Sequence, residues 1–128
     1  MKRVYSWKPD IPDYRDYAFK TSLKVKDLPD KVDLRRKCPP VFHQGELGSC
    51  TVNAISSHLS FIRPKEEPFS RLFIYYNERV AEGNVRSDSG AQIRTGIKSL
   101  VKQGVCSEDL WPYDVSKFKQ KPSSECFT

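Results

Sequence analysis

The chain has 128 residues, room for one domain but not for two of ordinary size. With 38% hydrophobic and 30% charged residues it falls outside the disordered class, and no apolar run approaches the ~18 residues of a membrane-spanning helix, so no membrane partner is expected. The net charge of +6 is spread out: Lys31, Arg35, Arg36 and Lys37 form one group and Lys117, Lys119 and Lys121 another. Neither has the recognition helix or aromatic platform of a nucleic-acid reader, so no nucleic-acid partner is expected either. The basic start, Met1-Lys2-Arg3, is not followed by an apolar stretch, which predicts no secretion signal, an intracellular setting and reduced thiols.

In chain order, residues 1–40 are dense in Pro and Asp and lack helical periodicity, predicting an extended arm packed on the domain. Residues 41–114 read as a helical domain. Within it, Val52, Ile55, Leu59 and Ile62 recur at steps of three and four, predicting a buried helix from Cys50 to Ile62 that Arg63-Pro64 ends. Ser70 is placed to cap a second helix in which Phe73, Tyr76 and Val80 share a face, with Gly83 as its stop. A third is predicted from Ala91 to Gln103, with an apolar stripe of Ile93, Ile97, Leu100 and Val101, Lys98 and Lys102 opposite, and Gly104 closing it. Residues 115–128, rich in Lys, Pro and Ser, read as a linker or the start of a crossover to a second domain.

Four cysteines, Cys38, Cys50, Cys106 and Cys126, contain no CxxC pair. A zinc site from Cys38, His43, Cys50 and His58 would have intervals of four, six and seven residues, which match no familiar ligand pattern, so no metal and no cofactor are expected. The informative stretch is Cys38-Pro39-Pro40-Val41-Phe42-His43-Gln44-Gly45-Glu46-Leu47-Gly48-Ser49-Cys50-Thr51-Val52-Asn53-Ala54. It sets Cys50 on the first turn of a helix, where unpaired backbone N–H groups and the helix dipole favour a thiolate. Gly45 and Gly48 allow a tight loop and close approach of a substrate backbone. Gln44 lies six residues upstream, and a loop can bring its amide beside the Cys50 N–H, aiming two donors at one developing oxyanion.

This segment resembles the papain family of cysteine peptidases, in which a Gln, a Gly-rich turn and a Gly-Ser-Cys open the central helix. The arm stretches Trp7-Lys8-Pro9-Asp10-Ile11-Pro12-Asp13-Tyr14-Arg15-Asp16 and Val32-Asp33-Leu34-Arg35 resemble the lead-in of members without a long helical propeptide. Asp88-Ser89-Gly90-Ala91 resembles the strip that pairs with substrate backbone, and Gly104-Val105-Cys106 through Trp111-Pro112-Tyr113-Asp114 the exit from the helical domain. The resemblance implies an α+β papain-like fold represented mainly by its helical, nucleophile-bearing N-terminal half. It implies Cys50 as nucleophile, Gln44 as oxyanion donor, and Gly48, Ser49, Ser89 and Gly90 as contacts to a peptide or protein substrate. Leu47 stands where many members carry a disulfide cysteine, so that bridge is absent.

The family's catalytic His and Asn lie ~130–150 residues beyond the cysteine, so a complementary C-terminal half is the implied partner that supplies them. His43 adjoins Gln44 and is expected to point away from it, and His58 lies about 12 Å along the helix axis from Cys50, so neither is expected to act as the base. The alternative is a non-catalytic peptide-binding or degenerate fragment of such a peptidase.

Overall fold

Ser49 and the Arg63-Pro64 pair bound the first helix as the sequence predicts: in the computed structural model, which describes residues 6–128, α1 spans Cys50–Ile62. Helix α2 (Arg71–Ala81) opens on Ser70, whose hydroxyl accepts the Phe73 N–H at 3.1 Å, and Gly83 follows its end at φ +72°. Helix α3 (Ile93–Gln103) stops at Gly104, φ +71°. Short 3-10 turns at Val25–Asp27 and Arg35–Lys37 precede α1, and two more, Val115–Lys117 and Ser124–Phe127, follow α3. Among the described residues there is no strand, and the one isolated bridge joins Phe69 to Ser107.

The three helices pack pairwise around Leu47, Val52, Ile55, Leu72, Ile74 and Tyr75, flanked by Leu59, Ile93, Leu100, Val105, Trp111, Tyr113 and Phe118. Burial on α1 is deepest near Cys50 and fades along the helix, from Val52 at 0% to Ile62 at 55% exposure.

Three details depart from the periodicity. The face of α2 is not Phe73, Tyr76 and Val80: Val80 is exposed, while Leu72, Ile74, Tyr75, Asn77, Glu78 and Arg79 are buried with Phe73. Two buried arginines account for this. Arg71 lies over the Tyr113 and Phe42 rings (4.0 and 4.5 Å) and pairs with Glu108 at 2.8 Å. Arg79 lies 4.1 Å over Tyr75 and donates to the Val85, Ser87 and Phe118 carbonyls. The stripe predicted for α3 holds only in part: Ile93 and Leu100 pack against the core, but Ile97 and Val101 are exposed and Gly96 and Ser99 are buried instead.

Finally, α3 starts two residues later than predicted. Ala91 lies outside the helix, its carbonyl accepting the Lys8 N–H (3.2 Å), and Gln92 is extended, its N–H donating to Glu82 Oε1 (2.8 Å). The cap of α3 then comes from far away in sequence: Asp10 accepts the Arg94 N–H at 3.0 Å. Residues 6–16 touch the helices at several such points, including Lys8–Glu82 (3.1 Å) and Arg94–Asp16 (2.6 Å). Tyr17, Phe19, Val25 and Val32 beyond them are exposed. Within residues 115–128, Phe118 packs against the core and Cys126 is buried.

Candidate active site

Cys50 is the first residue of α1 and is half-buried. The residue before it, Ser49, leaves the helix without a side-chain cap, so the first-turn N–H groups are not taken up by the Ser49 hydroxyl. That hydroxyl instead makes a short hydrogen bond with the Tyr113 hydroxyl and accepts from Asn53 Nδ2 at 3.1 Å. Ser49 is fully buried, so its side chain braces the loop from inside.

The loop ahead of Cys50 is held at three points. Tyr113 donates its hydroxyl to the Gln44 carbonyl at 2.9 Å, and burial pushes the phenol up, keeping it a donor. The Gln44 amide donates to the Leu47 carbonyl at 2.9 Å, folding the turn back on itself. The Gly48 N–H donates to both Asp88 carboxylate oxygens at 2.9 and 3.0 Å. The Tyr75 hydroxyl also donates to Asp88 and accepts the Gly90 N–H at 3.3 Å, so one buried phenol links the loop to the 88–90 strip. Burial, reinforced by the Asp88 carboxylate, pushes the Tyr75 phenol upward as well.

Gly90 has φ +65°, and the Ser89 hydroxyl turns onto the Gly90 carbonyl at 3.2 Å. Gly90 needs glycine for a second reason, and Gly48 is also closely packed. A Cβ on Gly90 would fall 1.7 Å from the Ser6 carbonyl oxygen, and one on Gly48 would fall 2.5 Å from Ser6 Oγ. The chain's own Ser6 thus approaches both glycines, Gly90 with its backbone carbonyl and Gly48 with its side chain, and the contact continues with Lys8 pairing with Ala91.

His43 is exposed, and its Nδ1 accepts the Gly45 N–H at 3.0 Å. His58 is exposed on α1 and lines a shallow apolar groove with Ala54, Ile55, Leu59, Ile93, Ile97 and Leu100. Cys38 is exposed, its thiol 3.5 Å from the Leu34 carbonyl. Among the described residues, no group of three or more His, Cys, Asp or Glu side chains is arranged to hold a metal ion. Among the described residues, no helix is long and apolar enough to cross a membrane.

Residue patterns alone did not single out Asp88, Tyr75 or Tyr113. Asp88 and Tyr113 sit inside the Asp88-Ser89-Gly90 and Trp111-Pro112-Tyr113 stretches, so their signal was position beside a motif. Tyr75 has no such marker.

A cysteine opening a central helix behind a braced glycine turn is an arrangement suited to thiol chemistry, and the chain is similar to papain-like cysteine peptidases. It is 42% identical over 149 residues to an uncharacterised peptidase C1-like protein of Acanthamoeba polyphaga mimivirus, covering 99% of this chain and 48% of that protein. It also matches the crystal structure of xylellain, a cysteine protease from Xylella fastidiosa, with a TM-score of 0.80 and 44% identity over 96% of this chain and 53% of that one. The chain thus spans about half the length of each relative. No family profile matches it.

Proposed function

We propose that this chain carries the nucleophile of a papain-like cysteine peptidase acting on peptide or protein substrates. The observation that carries this reading is Cys50 at the first position of α1, behind a loop anchored by Asp88 and Tyr113, in a chain 44% identical to a cysteine protease. In the proposed reaction the Cys50 thiolate attacks the scissile carbonyl carbon and the oxyanion forms against the Cys50 N–H and the Gln44 amide. The amine leaves with a proton from an imidazole, and water then resolves the thioester. The catalytic His and Asn belong to the complementary C-terminal half, and the strands of the α+β architecture belong with it. Gln44 enters this role by turning its amide from the Leu47 carbonyl toward the oxyanion. Gly48, Ser49, Ser89 and Gly90 shape the strip on which an extended substrate lies, Ser49 by bracing the loop. Ser6 to Lys8 occupy that strip in the structure, so substrate enters as they leave.

A second reading has its own support. A strip that already holds an extended backbone is able to hold peptides without cutting them, as a binding module would. A peptide aldehyde and its parent peptide separate the two. The peptidase reading predicts saturable aldehyde binding, through a thiohemiacetal on Cys50, that Cys50→Ala abolishes. Equal binding of aldehyde and parent peptide, unchanged in Cys50→Ala, favours the binding module.

A further inference from the structure

Outside the Cys50 site, two of the remaining cysteines converge on one place. Cys106 leaves α3 and gives its carbonyl to the Ser70 N–H at 2.9 Å, next to the Phe69–Ser107 bridge. Cys126 arrives from the 3-10 turn Ser124–Phe127. It is 4% exposed, its thiol lies 3.4 Å from Ser123 Oγ, and the adjoining Phe127 ring sits 4.9 Å from Phe73. Ser70 and Phe73 are the cap pair of α2, so the two segments meet at the foot of the same helix. There the Cys126 thiol lies near enough to Cys106 to raise its thiol pKa, and both are free.

We propose that Cys106 and Cys126 are a modification site: a thiol pair that closes to a disulfide and clasps the Ser124–Phe127 turn to the foot of α2. The chemical partner is a small-molecule disulfide. Cys106, the more exposed of the two, attacks as thiolate on one sulfur of the oxidant, forming a mixed disulfide and releasing one thiol. Cys126 loses its proton to solvent and displaces the second thiol from Cys106 Sγ, so two protein thiols are oxidised while one disulfide is reduced to two thiols. Burial, with the neighbouring Cys126 thiol, pushes Cys106 up to about 12, so closure is slow at neutral pH and accelerates as pH rises. The bond closes a loop of about 20 residues, which removes freedom mainly from the unfolded chain. It makes no use of Cys50 and holds whatever the outcome at that site.

The test is incubation of the full chain with oxidised glutathione at alkaline pH, alkylation of the remaining thiols, and peptide mapping without reduction. The expected product is a crosslinked peptide pair containing Cys106 and Cys126. It should come with a Tm rise on the order of 10 °C that dithiothreitol reverses and that Cys106→Ser and Cys126→Ser lack. Recovery of the two cysteines on separate alkylated or glutathionylated peptides overturns the proposal, as does linkage of either to Cys38 or Cys50. A crosslink that leaves Tm unchanged overturns the clasp. Mapping of the unmodified sequence decides the matter even where a serine variant does not fold.

Discussion

Glu78 shows how much one buried side chain can govern. It is fully buried at the junction of the three helices, with Oε2 accepting from Thr51 Oγ1 at 3.0 Å beside Cys50, and Oε1 without a hydrogen-bond partner. Burial raises its pKa from 4.5 to about 8. Because the folded value lies above the unfolded one, the folded chain keeps this proton where the unfolded chain has lost it. Its contribution is therefore whole below about pH 4.5 and is lost as pH rises to about 8, at up to roughly 1.4 kcal/mol per pH unit. Urea unfolding at pH 5 and pH 8 should show the chain less stable at pH 8, with Glu78→Gln flattening the difference. An unchanged slope in Glu78→Gln would assign the pH dependence elsewhere.

The partner of Glu78 across the junction is Gly96, where an added Cβ would fall 2.1 Å from Oε1 and 2.5 Å from Ile55 Cδ1. In an open helix Gly→Ala gains up to about 1 kcal/mol. Here overpacking should win, and Gly96→Ala should lower stability by about 1–3 kcal/mol in a denaturant titration.

Tyr113 matters for the site itself. Tyr113→Phe keeps the ring under Arg71 but deletes the hydroxyl that holds the Gln44 carbonyl and the Ser49 hydroxyl. A loss of about 1–2 kcal/mol in stability is expected, together with slower labelling of Cys50 by a peptide-like electrophile. Labelling at the wild-type rate would mean that the loop needs no such brace.

Among the elements, the helix ends were the most legible part of the sequence. Cys50 at the start of α1, the Ser70 cap, and the stops at Gly83 and Gly104 all depend on a few neighbouring residues, and a local pattern contains them. The buried faces of α2 and α3 were not legible, because hydrophobic periodicity cannot show that Arg71, Glu78 and Arg79 find partners on other segments. The late start of α3 had no local signal either, since its cap is Asp10. Asp10→Ala should therefore fray the first turn of α3 at a cost of about 1 kcal/mol, seen as faster amide exchange at Arg94 with little change in α1. Equal exchange in both proteins would remove Asp10 from this role.

For the molecule as a whole, candidate site residues could be named from sequence but the arrangement around them could not. Cys50, Gln44 and Gly48 stood out by type and spacing, and Gly90 only through the resemblance of its stretch to the family's strip. What joins them, the Asp88–Tyr75 link and the Tyr113 brace, depends on helices folding together first. The occupation of Gly48 and Gly90 by Ser6 connects the two ends of a long sequence interval. Lys8 and Asp16 hold this part of the arm through Glu82 and Arg94, the first pair part-buried and the second more exposed. A Lys8→Ala, Asp16→Ala double variant should loosen the arm and speed modification of Cys50.

The central claim, that Cys50 is an activated nucleophile in a cleft built for peptides, is tested most directly with an epoxide inhibitor selective for papain-like enzymes. The labelled cysteine is located by peptide mapping, with an ordinary alkylating agent as the control for bare thiol reactivity. The account predicts selective labelling of Cys50 by the epoxide, well beyond its advantage over Cys38, Cys106 and Cys126 toward the alkylating agent. Epoxide labelling of Cys50 no faster than that of exposed Cys38 would contradict it, leaving the family relationship as ancestry without a working nucleophile.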